Sequence, residues 1–167
     1  MCHAAFIVDP MADSCSRYGK VRYPRTSGIG SRSYHAHPMT GTLILCATPI
    51  GNLGDISERL ADTLASVDVI FAEDTRRTVQ LLAHLGISKP MRSYFTGNER
   101  ARNDELVELM GDGKTVALVS DAGMPVVSDP GSSAVEAAYD AGAVVTAIPG
   151  PSAPIMAIAV SGFSGDR

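Results

Sequence analysis

The chain has 167 residues, a formal net charge of −4 and 45% hydrophobic residues, which is enough for one domain with a substantial core. Its three cysteines form no CxxC pair, which argues against a disulfide framework or a zinc site and fits a reducing cytoplasm. No apolar run approaches the ~20 residues of a membrane-spanning helix, and the acidic balance does not by itself indicate a nucleic-acid binder.

The first 39 residues differ from the rest of the chain. They are comparatively rich in basic residues and show no helical or strand period, and their longest apolar stretch, AAFIV, is too short for a signal-peptide core. We interpret residues 1–39 as a disordered tail or as upstream sequence translated from a start codon placed too early, with Met39 as an alternative start. His35 and His37 are more typical of solvated residues than of a metal site, so no metal is predicted.

From residue 40 onward, predicted strands and helices alternate in chain order. The strands cover 42–47, 68–73, 91–95, 115–120 and 143–148, and the helices cover 56–67, 74–86, 98–113, 129–142 and 155–163. We expect Asp55 and Glu58 to cap the first helix, and Asp129-Pro130 to begin the fourth, because proline suits the first helical position. Gly86 and Gly142 are expected to end the second and fourth helices.

This alternation predicts that 40–167 form one α/β domain: a five-stranded, mainly parallel sheet with helices on both faces. Ligands of such sheets bind beyond the carboxyl ends of the strands. The loops at those ends are rich in glycine and proline, which let the backbone approach a ligand closely. They read ATPIGNLGD (47–55), AEDTRRT (72–78), TGNE (96–99), SDAGMPVVSDPG (120–131) and IPGPSAP (148–154).

Several common sites are excluded by spacing. The glycines match neither G-x-G-x-x-G nor the P-loop pattern, and neither G-x-S-x-G nor HExxH occurs. Each loop alone also has a structural interpretation: the DPG sequence as a helix start, and Asp74 as a helix cap. Their joint presence after successive strands favours a ligand site.

Four of these motifs, ATPIGNLGDIS, AEDTRRT, SDAGMPVVSDPG and PGPSA, resemble in order and spacing the ribosomal RNA small subunit methyltransferase I family of the tetrapyrrole methylase superfamily. The resemblance covers about 41–167. It implies methyl transfer from S-adenosylmethionine to the ribose 2′-hydroxyl of a cytidine in the decoding region of 16S rRNA, by a cytoplasmic homodimer. It also implies two α/β domains with the cofactor between them, so we expect this chain to be the N-terminal domain without its C-terminal partner.

Carried over by position, the resemblance implies two sets of contact residues. The cofactor set is Pro49, Ser120, Asp121, Ala122, Gly123, Pro149, Gly150 and Ser152. The substrate set is Gly51, Asn52, Thr75, Arg76, Arg77, Asn98 and Glu99. The chain departs from the family at Met124, where threonine is common, and at Thr96-Gly97, where many members have a histidine before Asn-Glu.

Methyl transfer from a sulfonium is an in-line displacement, so the protein mainly aligns the reacting atoms. A carboxylate can accept the hydroxyl proton, and we predict Glu73 or Asp74 as this base, with Arg76 or Arg77 holding an RNA phosphate. A helix-capping role for Asp74 is the alternative. Two other functions stay open: a corrinoid or sirohaem-type methyltransferase, although the usual Gly-x-Gly-Pro-Gly loop is missing, and an inactive truncated domain that only binds or dimerises.

Overall fold

The computed structural model of the chain describes residues 41–163, and the predictions for 1–39 lie outside the described residues. The strands are β1 (Thr42–Cys46), β2 (Val69–Ala72), β3 (Met91–Ser93), β4 (Thr115–Val119) and β5 (Val144–Ile148). The helices are α1 (Glu58–Ser66), α2 (Thr75–His84), α3 (Glu99–Gly111), α4 (Ser132–Asp140) and α5 (Ala153–Ser161), with a short 3-10 helix at Leu53–Asp55.

The five strands form one sheet in the order β3-β2-β4-β1-β5, and every neighbouring pair is parallel. The chain moves from β1 outward to β2 and β3, then returns to place β4 between β2 and β1 and β5 beyond β1. A helical crossover accompanies each connection, as parallel pairing requires. The predicted five-stranded α/β fold is confirmed.

The strand residues alternate between two cores. Val69 and Phe71 of β2 pack with α3 and α4, whereas Ile70 and Ala72 pack with α1 and α2 on the opposite face. All four residues of this strand are buried, which explains its unbroken apolar sequence. The prediction of helices on both faces is therefore confirmed.

The return of the chain from β3 to β4 determines which loops lie together at the carboxyl ends of the strands. Helices α1 and α2 follow β1 and β2 onto one face, while α4 follows β4 onto the other. Because β4 lies between β2 and β1, the loop after β4 leads to one face of the sheet, whereas the loops after both neighbouring strands lead to the other. A crevice opens at such a switch in strand order, and this is where α/β domains bind ligands.

The residues predicted to cap or begin α1 and α4 are wrong. Helix α1 is capped by Ser57, whose hydroxyl accepts the Leu60 N–H at 3.1 Å, whereas Asp55 belongs to the preceding 3-10 helix. Helix α4 begins at Ser132 with Gly131 as its N-cap, so Asp129-Pro130 lies ahead of the helix rather than in its first turn.

Contacts distant in sequence set the start of α4. The Glu99 carboxylate accepts the Gly131 N–H at 3.2 Å, and φ at Gly131 is 131°. A Cβ at this position would lie 2.7 Å from Cδ2 of Leu118, so only glycine fits here. Gly86 and Gly142, with φ of 67° and 78°, follow α2 and α4 and confirm the predicted ends.

Helix α5 begins at Ala153, two residues before its predicted start, and has Pro154 in its first turn. All of its residues from Ala153 to Ser161 are exposed, although none is charged. Over residues 41–163, no helix combines the length and the apolar character needed to cross a membrane.

Candidate functional site

A cleft of about 520 Å³ lies at the carboxyl ends of the strands, where the sequence predicts a ligand site. Its walls come from the loop after β1, from α2 and from the loop after β4. The lining residues are Thr48, Pro49, Ile50, Gly51, Leu53, Arg77, Thr78, Gln80, Leu81, Ser120, Asp121 and Ala122.

The loops after β1 and β4 are joined by a short antiparallel bridge between Thr48 and Gly123. The Thr48 N–H donates to the Gly123 carbonyl at 2.9 Å, and the Gly123 N–H donates to the Thr48 carbonyl at 3.0 Å. Gly123 has φ of 82°, a conformation that L side chains rarely adopt. The bridge folds the loop after β4 back toward β1.

The loop after β5 packs against the end of β1. A Cβ added at Gly150 would lie 2.7 Å from Cβ of Ala47, so the loop approaches β1 more closely than a side chain permits. A Cβ at Gly123 would lie 3.6 Å from both Cγ2 of Ile50 and the Pro151 carbonyl oxygen. Three of the four recognised motifs therefore meet around Gly123.

The predicted cofactor residues divide into two groups. Pro49, Ser120, Asp121 and Ala122 line the cleft. Gly123 forms the bridge instead, and Pro149, Gly150 and Ser152 belong to the neighbouring loop without lining the cleft.

Asp74 caps α2. Its Oδ1 accepts the Arg76 N–H at 2.8 Å, and its Oδ2 lies 3.2 Å from Nη2 of Arg76. Hydrogen bonds from the Arg76 side chain and backbone hold the pKa of the Asp74 carboxyl below its usual value. The structure thus shows the capping role that the sequence left as an alternative.

Hydrogen bonds of Glu73 and Asp121 join the end of β2 to the end of the neighbouring strand β4. Oε2 of Glu73 accepts the Asp121 N–H at 3.2 Å, while Oδ1 of Asp121 accepts the Asp74 N–H at 3.1 Å. Oδ2 of Asp121 lies 3.4 Å from Nε of Arg77. Neither Glu73 nor Asp74 lines the cleft, but Asp121 and Arg77 do.

The half-buried Glu73 carboxyl has a raised pKa. Burial is the main cause, and the carboxylates of Asp121 and Asp129 add to it. The Asp121 N–H and the Arg77 guanidinium act in the opposite direction without cancelling the rise. The pKa of the neighbouring Asp74 is shifted in the opposite direction, because its carboxylate accepts hydrogen bonds from Arg76.

The predicted substrate residues are not brought together. Gly51 and Arg77 line the cleft, whereas Asn52 caps the 3-10 helix by accepting the Gly54 N–H at 2.9 Å. Thr75 and Arg76, at the start of α2, lie outside the lining, and the Arg76 side chain is 88% exposed.

Asn98 and Glu99 lie at the start of α3, away from the cleft lining. The Asn98 side chain accepts the Phe95 N–H at 2.9 Å and donates to the Ser93 carbonyl at 3.0 Å, and Glu99 accepts the Gly131 N–H. Their polar groups thus already bind loop backbone.

Most of the arginines on α2 and α3 are paired with carboxylates. Arg76 pairs with Asp74, Arg77 with Asp121, and Arg102 with Glu105, while Arg100 remains exposed on α3. Within residues 41–163, no cluster of three or more histidine, cysteine or acidic side chains is arranged to hold a metal ion.

Six lining residues were not predicted from the sequence: Thr48, Ile50, Leu53, Thr78, Gln80 and Leu81. Gln80 lies three positions after Arg77 on α2, and this helical spacing could have indicated a shared face. Thr48 is a buried polar residue just after a strand, and no local pattern in the sequence predicts that a polar residue is buried there.

An α/β domain of this topology with a loop-lined cleft at the switch in strand order is typical of a cofactor-binding domain. The family described as Tetrapyrrole (Corrin/Porphyrin) Methylases has a model that matches residues 42–167. The chain therefore belongs to the tetrapyrrole methylase family.

Among curated relatives, the chain is similar to two proteins named ribosomal RNA small subunit methyltransferase I. It is 52% identical over 127 residues to that of Thermotoga maritima, covering 76% of this chain and 57% of the relative. It is 50% identical over 127 residues to that of Xylella fastidiosa, covering 76% of this chain and 46% of the relative. The chain thus spans about half the length of the curated relatives that it matches.

Solved structures support the fold. A uroporphyrin-III-C-methyltransferase from Thermus thermophilus aligns with a TM-score of 0.57 at 20% identity, covering 75% of this chain and 54% of that one. A diphthine synthase aligns with a TM-score of 0.58 at 17% identity, covering 74% and 49%. At these identities the likeness concerns the fold alone.

Proposed function

We propose that this chain is the N-terminal part of an S-adenosylmethionine-dependent rRNA methyltransferase. The proposed reaction is 2′-O-methylation of a cytidine ribose in the decoding region of 16S rRNA, carried out on the small ribosomal subunit by a cytoplasmic homodimer. The observation that carries the proposal is the sequence identity of about one half to relatives that bear this enzyme's name. The convergence of three family motifs at one cleft supports it.

The residues present suit a cofactor that is read through backbone groups. Pro49, Ser120, Asp121 and Ala122 line the cleft, and the bridge at Gly123 holds the loops that carry them together. When bound, S-adenosylmethionine supplies an activated methyl group, so the chain has only to bind and orient the reactants. Pro149, Gly150 and Ser152 are proposed to complete the cofactor site from the adjoining loop.

Neither candidate base lines the cleft, and of the two Glu73 is better supported by its pKa and its hydrogen bonds. Its pKa is raised, and Oε2 is held by the Asp121 N–H, which leaves Oε1 to accept the proton of a ribose hydroxyl. Asp74 is the weaker base because its carboxylate caps α2 and binds Arg76. We therefore propose Glu73 as the general base and Asp74 as the residue that holds the start of α2.

Arg77 is the proposed contact to an RNA phosphate, because it is the arginine that lines the cleft over residues 41–163. Gly51 and Asn52 on the first loop, and Thr75 and Arg76 at the start of α2, are proposed to flank the RNA. A substrate role for Asn98 and Glu99 stays a prediction, since both already bind backbone groups elsewhere.

The test has two stages. Calorimetry with S-adenosylmethionine determines whether the chain binds the cofactor, and a tritiated methyl-transfer assay on small subunits that lack the modification determines whether it acts. Mass spectrometry of the digested rRNA should locate the methyl group on a cytidine ribose. Cofactor binding without methyl transfer would favour a domain that binds but is inactive by itself.

The choice of base is tested by a matched pair of variants. In an active preparation, E73Q should lower turnover by about 10²–10⁴-fold, the usual contribution of a general base. D74N should retain more activity and lose mainly stability. Normal turnover of E73Q with normal RNA binding would exclude Glu73 as the base.

A further inference from the structure

The peptide unit between Ser120 and Asp121 is held at both ends. Its carbonyl oxygen accepts a hydrogen bond from the Thr48 hydroxyl at 3.1 Å, and its N–H donates to Oε2 of Glu73 at 3.2 Å. A trans peptide is planar, and its C=O and N–H point in opposite directions. The two anchors come from opposite sides because β4 lies between β1, which precedes Thr48, and β2, which precedes Glu73.

Thr48 also holds the other end of the same loop. Its backbone N–H and carbonyl both bond to Gly123, so one residue is bonded to both ends of the stretch 120–123. Thr48 and Ser120 are each only 4% exposed, which shields the hydroxyl-to-carbonyl bond from water. The residues between the anchors, Asp121 and Ala122, line the cleft.

We propose that Thr48 is a positioning residue of the cleft: its hydroxyl keeps the Ser120 carbonyl turned toward β1, and this sets the shape in which the loop 120–123 meets the cofactor. The part that concerns the cofactor rests on the proposed function. The orientation of the peptide unit does not, because it follows from the contacts alone. Loss of the hydroxyl leaves a buried carbonyl without its donor, which frees the peptide unit to rotate.

The test compares T48V with T48S in the complete chain. Valine keeps the shape of threonine without the hydroxyl, whereas serine keeps the hydroxyl. Amide hydrogen exchange, followed by NMR, should show the Asp121 N–H exchanging about tenfold faster in T48V, as expected for loss of one buried hydrogen bond. T48S should exchange like the wild type. Calorimetry should show the affinity for S-adenosylmethionine falling about tenfold in T48V and recovering in T48S.

The amides of β4 serve as the internal reference. If they accelerate as much as Asp121 in T48V, the effect is general destabilisation and the local role is wrong. Unchanged exchange at Asp121, or altered exchange with unchanged cofactor affinity, would also overturn the positioning role. If the wild-type chain binds no S-adenosylmethionine, the cofactor assignment fails, and the exchange data still decide whether Thr48 orients the peptide unit.

Discussion

The Asp121 carboxylate ties the end of β4 to the start of α2 through the backbone of Asp74. Its Oδ1 accepts the Asp74 N–H at 3.1 Å, although the two residues are 47 positions apart in sequence. Its Oδ2 lies 3.4 Å from Nε of Arg77, which is on α2, three residues after Asp74. The family motif suggests Asp121 as a cofactor contact, but both oxygens of its carboxylate already bind groups at the start of α2.

This contact predicts a loss of stability on truncation. D121A removes the acceptor of the Asp74 N–H, so we expect the free energy of unfolding to fall by about 1–3 kcal/mol. D121N keeps one oxygen at the same place and should lose less. Urea denaturation measures both. The control is D62A, an exposed aspartate on α1 that should change stability by less than about 0.5 kcal/mol; a D121A value within that range would contradict the role.

The neighbouring carboxyls Glu73 and Asp74 should respond to pH in opposite ways. The pKa of Glu73 is raised in the folded state, so its ionised form costs stability as pH rises above the unfolded value of 4.5. The stability of E73Q relative to the wild type should therefore increase between pH 4.5 and neutrality.

The pKa of Asp74 is lowered, so its ionised form contributes stability above 3.8 that is lost as pH falls through the folded value. D74N should thus be less stable than the wild type at neutral pH, and the deficit should shrink on acidification. Urea unfolding at a series of pH values measures both differences. Curves that run in the same direction for both variants would refute the assignment.

Backbone strain in the loop after β4 offers another test. Ser128 is exposed with φ of 66°, a left-handed conformation that costs a non-glycine residue about 1–2 kcal/mol. S128G should raise the free energy of unfolding by about 0.5–1 kcal/mol after the entropy lost by glycine is subtracted. S128A should be close to neutral. V126G is the contrast: Val126 has φ of 78°, but its side chain packs on the core, so glycine there should destabilise.

Thermal unfolding of the three variants measures this prediction. If S128G and S128A are both destabilised, the hydroxyl of Ser128, rather than its backbone conformation, dominates at this position.

The Cys46 thiol should be unreactive in the folded protein. Burial raises its pKa to about 12, and the nearby Arg59 offsets this only in part, so the thiolate is scarce at neutral pH. We expect no alkylation of Cys46 by iodoacetamide at pH 8 until the chain is unfolded in guanidinium. Peptide mass spectrometry reads the modification; rapid labelling under native conditions would mean that β1 opens readily.

Local periodicity explains most of what could be predicted about the fold. Leu60 and Leu64 lie at helical spacing and indicate α1, and the apolar run VIFA indicates the strand β2. The errors fall at helix starts. Asp55 and Ser57 are both residue types that cap helices well. Because Asp55 belongs to the 3-10 helix, Ser57 is the residue that caps α1.

The site was predicted less completely because motif residues were assigned to ligands by resemblance alone. Pro49 and Asp121 do line the cleft. Asp74, by contrast, is used as a cap, and Glu99 binds the backbone of Gly131. Polar side chains bind backbone donors where these are within reach, and the donor of Glu99 comes from a loop that is distant in sequence.

The sequence by itself determined that strands and helices alternate and that glycine-rich loops follow the strands, because both patterns arise from neighbours a few residues apart. Only the tertiary structure decided the order β3-β2-β4-β1-β5, since strand pairing depends on how two helical layers bury both faces of the sheet. That order brings Thr48 to Gly123 and Asp74 to Asp121. The cleft exists because β4 lies between two strands whose loops turn to the opposite face.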